Sequence, residues 1–200
     1  FMAEGCIFSD IEFMPGNPSI VYASFTNSCG NNASVYKSTD GGASFPQAGM
    51  YNFPSGVSRV SLAVTPAETN AVYAFCANSA GAFYGIYKST DAAGSFTLKS
   101  SSPNLLGYNA DGSDNGGQGW GTLAIAVSPS NANVIIAGGV NNWKSINGGS
   151  TWNLLVNTAK TTLCGSGDGI WTQYSSVLPI SCENILNLKI GFVWVNNNDG

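Results

Sequence analysis

The apolar positions of this chain fall into short runs broken by polar turns, and the runs repeat. Ile11–Ala23 reads I-E-F-M-P-G-N-P-S-I-V-Y-A, Leu62–Ala74 reads L-A-V-T-P-A-E-T-N-A-V-Y-A, and Ile125–Ala137 reads I-A-V-S-P-S-N-A-N-V-I-I-A. Pro15, Pro66 and Pro129 align without gaps. Each unit predicts a short β-branched strand, a Pro/Asn turn and a second apolar strand, which is hairpin chemistry. The proline sits in the turn, where its missing N–H costs nothing.

A second pattern follows each unit. Val35–Phe45 reads V-Y-K-S-T-D-G-G-A-S-F, Ile86–Phe96 reads I-Y-K-S-T-D-A-A-G-S-F, and Asn142–Trp152 reads N-W-K-S-I-N-G-G-S-T-W. Its serine falls at Ser38, Ser89 and Ser145, so the spacings are 51 (38 to 89) and 56 (89 to 145). A period near fifty with strand-like flanks is the mark of a propeller or other repeat array. Within the first copy, Val35–Ser38 predicts a strand, Asp40-Gly41-Gly42 a turn, and Ser44-Phe45 the start of the return strand. Each repeat is therefore expected to carry four short strands, in units of about 11–50, 60–100 and 123–156. The remainder, 157–200, is a divergent strand-rich tail. There Ile185–Val195 alternates, placing Leu186, Leu188, Ile190, Phe192 and Trp194 on one face.

The box S-x-D-x-G-x-[ST]-[WF] resembles the Asp-box, or BNR repeat, of sialidases, sortilin-type receptors, xyloglucanases and secreted bacterial propellers. The first copy matches fully at Ser38, Asp40, Gly42, Ser44 and Phe45. The second keeps Ser89, Asp91, Ser95 and Phe96, with its glycine displaced to Gly94. The third keeps Ser145, Gly149, Thr151 and Trp152, with Asn147 in place of Asp. Together with G-G-Q-G-W at Gly116–Trp120, the phrasing looks like secreted Bacteroidetes propellers labelled glycosyl hydrolase or sortilin-like. The resemblance implies an all-β propeller of four-stranded antiparallel blades, secreted or displayed at the cell surface. It further implies a glycan or protein ligand, or alternatively part of a sialidase- or xyloglucanase-like glycoside hydrolase whose catalytic residues lie largely elsewhere. Propellers close with four to eight blades. Three are visible here, so the chain is read as a segment of a larger propeller, completed by further blades of the same protein or by neighbouring chains. The recurrence of Asp40 as Asp91 and then as Asn147 marks a turn-building acceptor, because a catalytic acid need not repeat in every blade or tolerate an amide.

Composition narrows the chemistry. The chain is 44% hydrophobic and 12% aromatic but only 9% charged, against about 25% for an average soluble domain. Net charge is −4 with a single arginine, Arg59, which argues against nucleic acid as a partner. There is no histidine, which removes histidine acid–base chemistry and most zinc sites from these residues. No run approaches the ~20 apolar residues of a membrane span, so membrane insertion is not expected. The five cysteines, Cys6, Cys29, Cys76, Cys164 and Cys182, form no C-x-x-C pair. Cys6–Cys29 and Cys164–Cys182 are candidate disulfides, and buried free thiols are the alternative. Asn32-Ala33-Ser34 is a lone N-x-S sequon.

Function on a β scaffold tends to sit in loops of unusual length. From box serine to the next landmark proline is 28 residues after the first repeat (38 to 66) and 40 after the second (89 to 129). The excess lies within Ser101–Trp120. There Asp111, Ser113, Asp114 and Asn115 approximate the oxygen-rich start of a calcium loop, although position twelve is Thr122 rather than Glu. Asp111 and Asp114 alternatively suggest a glycosidase carboxylate pair. Tyr108, Trp120 and Trp143 are candidates to stack on sugar rings, with Gln118 and Asn141 or Asn142 supplying hydrogen bonds; the favoured reading of Trp143, as of Trp152 and the aligned Tyr36, Tyr87, Phe45 and Phe96, is packing between blades. No catalytic residue is assigned. Calcium is the one cofactor the sequence suggests.

Overall fold

The computed structural model describes residues 7–27, 32–46 and 50–157, all within the first of two compact units, Phe1–Thr162. Cys6, Cys29, Cys164, Cys182 and the Ile185–Val195 segment lie outside the described residues, so neither candidate disulfide is addressed. Cys76 is a buried free thiol whose pKa burial pushes well up.

The described residues form three antiparallel four-stranded sheets, each in simple sequential order. The first holds β1 (Phe8–Phe13), β2 (Val21–Phe25), β3 (Ser34–Ser38) and β4 (Met50–Asn52). The second holds β5 (Arg59–Val64), β6 (Val72–Ala77), β7 (Phe83–Ser89) and β8 (Thr97–Ser100). The third holds β9 (Ala124–Val127), β10 (Ile135–Gly138), β11 (Asn141–Ser145) and β12 (Asn153–Asn157). β5 lies beside β1 on one side and β9 on the other, which puts these strands at the inner edges of three consecutive β-propeller blades. One expectation fails in detail. The return strand does not begin inside the box at Ser44-Phe45, but after it, at Met50. The box residues stay in the turn because their backbone N–H groups are bonded to the Ser38 and Asp40 side chains rather than to a partner strand.

Packing follows the period of two. β6 reads V-Y-A-F-C-A and is buried at every position. Val72, Ala74 and Cys76 face the core shared with the first blade, where Val35, Phe53 and Leu62 lie. Tyr73, Phe75 and Ala77 face the core shared with the third, with Leu105, Ile135 and Trp143. A strand covered on both faces reads as a continuous apolar run. Edges are matched as well as faces. The Asp10 carboxylate accepts the Ser61 hydroxyl at 2.7 Å and the Leu62 N–H at 2.8 Å, and the Ser24 hydroxyl donates to the Val60 carbonyl at 2.8 Å. Across the next junction, Thr65 donates to Ser128 O and Tyr73 to Ala132 O.

The three boxes have one hydrogen-bond plan. Ser38, Ser89 and Ser145 are essentially inaccessible. The Ser38 hydroxyl donates to Asp40 Oδ1 and accepts the Gly42 N–H at 2.9 Å, while Asp40 Oδ1 also accepts the Ser44 N–H. Ser89 and Asp91 repeat the pattern with Ala93 and Ser95, and Ser145 and Asn147 with Gly149 and Thr151. One bond reverses. Ser44 and Ser95 donate their hydroxyls to Asp, whereas Asn147 Nδ2 donates to Thr151 Oγ1. Each box is then tied to its proline turn: Gly41 N to Ser19 O, Ala92 N to Asn70 O, and Gly148 N to Asn133 O. Every donor stands three residues after the box serine, and every acceptor four after the landmark proline.

Gly41 and Gly42 (φ +73° and +90°) and Gly148 and Gly149 (+68° and +86°) adopt the left-handed backbone that this plan needs. The second copy, whose glycine is displaced to Gly94, keeps the turn: Ala92 and Ala93 hold the same positive φ, at 57° and 68°. Left-handed alanine costs about 1–2 kcal/mol. Both methyls are buried against the first blade, and at about 0.8 kcal/mol per buried carbon that recovers a comparable amount.

The boxes predict an acid limb of stability. Hydrogen bonds from Ser38 and Ser44 hold the Asp40 carboxyl at a pKa of about 2, and those from Ser89 and Ser95 do the same for Asp91. A folded pKa below the unfolded one gives stability that is present above the unfolded value and lost as pH falls toward the folded one. Denaturant midpoints should therefore fall as pH drops from near 3.8 to about 2. The double variant Asp40→Asn/Asp91→Asn, which copies the arrangement at Asn147, should fold and show a shallower fall over that window.

Candidate functional site

Sequential antiparallel order gives each blade two distinct ends. The proline turns and the boxes share one end. The opposite end carries the β6–β7 and β10–β11 connections and the long link between β8 and β9. That link contains the irregular loop, so the candidate site lies away from the boxes.

The loop is built inward from Asn104. Its Oδ1 accepts the N–H of Phe83 at 2.9 Å and of Leu106, and its Nδ2 donates to the carbonyls of Asp114 and Gly116, both at 2.8 Å. Leu105 and Leu106 are fully buried in the core between the second and third blades. Asn141, the first residue of β11, donates to Gly107 O at 3.0 Å and Asn109 O at 3.2 Å. The returning segment packs backbone on backbone. Gly119 N donates to Gly81 O at 2.8 Å, and a Cβ on Gly117 would lie 2.4 Å from Leu106 O and 2.5 Å from Gly81 O. Gly117 and Gly119 of G-G-Q-G-W are there because nothing larger fits.

The structure distributes the candidates unevenly. Trp120 is 69% exposed and Tyr108 47%, and both stand on this loop with Gln118, which is half-buried. Trp143 is corrected: at 3% exposure it belongs to the core, and no ligand ring can reach it. Asn141 is likewise interior, a brace for the loop rather than a surface donor. Asn142 is half-buried, on the opposite face of β11.

The calcium candidates are engaged locally. Ser113 hydrogen-bonds to Asp111 through its side chain and its backbone N–H, which holds the exposed Asp111 carboxyl below its ordinary pKa. Asp114 Oδ2 accepts the N–H groups of Tyr108 and Asn109, and the Ser113 hydroxyl accepts from Asn109 Nδ2. Among the described residues no three His, Cys, Asp or Glu side chains cluster. At this end Asp114 Oδ1 and Asn141 Oδ1 are buried without a donor among the described residues. As a glycosidase pair, Asp111 and Asp114 do not have the required contrast. A general acid needs a raised pKa, whereas Asp111 is lowered and Asp114 is turned onto backbone N–H groups.

Two braces were not evident as such. Arg59, at the start of β5, donates from Nε to Ser9 Oγ at 3.3 Å and from Nη1 to the Trp120 carbonyl, reaching from the first blade to the segment entering the third. Asn104 has no counterpart in the repeat. Asn141 does carry a signal, since its aligned positions are Ser34 and Gly85 and only this copy has a large amide there.

Comparison with known proteins bears on the fold. No protein-family profile matches the chain, and no curated protein does. Solved β-propeller structures do match. YCF48 from Cyanidioschyzon merolae aligns over 78% of this chain and 38% of its own, at 17% identity and a TM-score of 0.51. The GH74 enzyme of Niastella koreensis aligns over 74% and 22%, at 20% identity and 0.53. A structure of YCF48 bound to D1 peptide aligns over 75% and 41%, at 12% identity and 0.50. The chain thus spans less than half the length of each. At such identities the likeness establishes the propeller fold.

The packing predicts a sharp test. Gly117→Ala should destabilise the protein by roughly 3 kcal/mol or more, because two carbonyls must move. Gly116→Ala, where a Cβ meets nothing within 4 Å, should change it by less than about 0.5 kcal/mol. Paired thermal melts would show the contrast.

Proposed function

We propose that this chain is an extracellular or cell-surface binding module, recognising a glycan or protein through the loop end of its blades. The observation that carries the reading is Trp120: a large indole left in solvent on a loop whose backbone is otherwise fixed by Asn104, Asn141 and packed glycines. Rigid placement reduces the ordering cost of binding, and exposed aromatics on such scaffolds are common anchors. The similar YCF48 structure with a bound D1 peptide supports a protein ligand as one class. The similar GH74 enzymes support the second reading, a portion of a glycoside hydrolase whose carboxylates lie elsewhere. The low pKa of Asp111 and the local bonding of Asp114 favour binding over catalysis within this chain.

Calcium belongs to the proposal as the cofactor this donor set would take. Asp114 Oδ1 and Asn141 Oδ1 are oxygens without a donor among the described residues, the ligand type that hard cations select. The melting temperature should rise with added calcium and lose that response in Asp114→Asn. Indifference to both calcium and chelator would remove the metal.

Arrays of glycans and peptides test the main reading. Capture should occur on one of them and weaken about tenfold or more in Trp120→Ala, with the melting temperature unchanged. Hydrolysis of an arrayed sugar, abolished by Asp111→Asn, would overturn it in favour of the enzyme.

A further inference from the structure

Arg59 is the only arginine in the chain, and its surroundings are unusual. The residue is partly buried, its Nη1 bond lies exposed, and both acceptors it reaches, Ser9 Oγ and the Trp120 carbonyl, are neutral. The Glu68 carboxylate is taken by Lys88 at 2.7 Å. Asp10, next to Ser9, directs its Oδ2 to Ser61 and Leu62 instead. A guanidinium on neutral acceptors keeps its charge available to an anion, which a ligand can supply. Trp120, whose backbone carbonyl Arg59 holds, has the most exposed large apolar side chain of the described residues.

We propose that Arg59 and Trp120 together form a subsite for a sugar ring bearing a carboxylate, such as a uronic acid unit of an acidic polysaccharide. The indole offers a flat face to the C–H side of the ring. The guanidinium offers planar, charge-assisted donors to the carboxylate, the geometry in which arginine outperforms lysine. A saccharide fits better than a peptide carboxylate. Peptide anchors insert into desolvated apolar pockets, whereas Trp120 stands in G-G-Q-G-W-G-T, with no aliphatic residue among its immediate chain neighbours. The two residues are also tied together through the backbone. Arg59 is anchored at both Nε and Nη1, and Gly119 fixes the backbone next to Trp120. This inference rests on the glycan branch of the binding reading and specifies its chemistry.

Titration calorimetry with tetragalacturonate and with its fully methyl-esterified form isolates the carboxylate. Wild type should bind the acid about tenfold or more tighter than the ester. Arg59→Gln should equalise the two, Arg59→Lys should keep only part of the preference, and Trp120→Ala should weaken both ligands. Melting curves accompany each variant; if Arg59→Gln does not fold, the acid-to-ester ratio of wild type and the loss in Trp120→Ala decide. Equal binding of acid and ester by wild type overturns the subsite and leaves glycan binding standing, as does an unchanged ratio in Arg59→Gln. Capture of a peptide that depends on Arg59, with no uronate binding, reassigns the pair to a protein ligand and overturns the inference. Absence of any glycan or peptide capture by wild type overturns the binding reading itself.

Discussion

The structure depends on one buried hydroxyl, used three times. Ser38, Ser89 and Ser145 each sit at the end of a third strand, shielded from water, donating to the following Asp or Asn and accepting an N–H four residues on. A buried hydroxyl without partners costs about 1–3 kcal/mol, and buried turn N–H groups left unpaired cost a similar amount each. Each therefore requires the other. Because the turn is also bonded to the proline hairpin at Ser19, Asn70 or Asn133, closing the box fixes the second hairpin of a blade against the first. That coupling explains why the two sequence landmarks recur as a pair. It also explains what varies: Asn147 substitutes for Asp because the acceptor at Oδ1 is retained, and only the direction of one side-chain bond changes.

Between blades a different constraint governs. Faces join through apolar contact, as β6 shows by dividing its alternating side chains between two cores. An inner-edge strand also exposes backbone groups that its own sheet does not use, and an unpaired buried amide is as costly there as in a turn. Neighbouring blades satisfy them through side chains: Asp10 on Leu62 N–H, Ser24 on Val60 O, Thr65 on Ser128 O. These partners are polar residues at positions that a purely alternating pattern would leave unexplained.

Much of this was legible because it repeats. The box, the proline turn and the four-strand unit recur with matched spacing, and the two-faced burial of β6 is written in V-Y-A-F-C-A. Two positions needed partners to be read. With its glycine displaced to Gly94, the second box still keeps the turn, because the backbone plan is fixed by Ser89 and Asn70 and alanines are held in it. Trp143 stood between ligand platform and interblade packing, and the period of two on β11 turns it inward with Asn141 and Ser145. The loop was less legible still. Its length was evident, but its order depends on contacts across 10 to 61 residues, from Asn104 to Asp114 and from Arg59 to Trp120, and neither pair has a copy elsewhere against which to be compared.

The two ends of the blades consequently do different work. At the box end the carboxylates of Asp40 and Asp91 are held near a pKa of about 2 by donors that leave no reason for them to accept a proton at neutral pH. Such groups cannot serve as general acids, and their acceptor capacity is already spent on the turn. At the loop end Asp111 is likewise held low by Ser113 and Asp114 accepts backbone N–H groups. There, among the described residues, the acceptors of Arg59 are neutral, and Trp120 projects into water from a backbone fixed by packed glycines. That is the end the proposed recognition uses. The residues that catch the eye in the repeat are therefore those that build the blade, and the ones suited to meet a ligand are those the repeat does not contain.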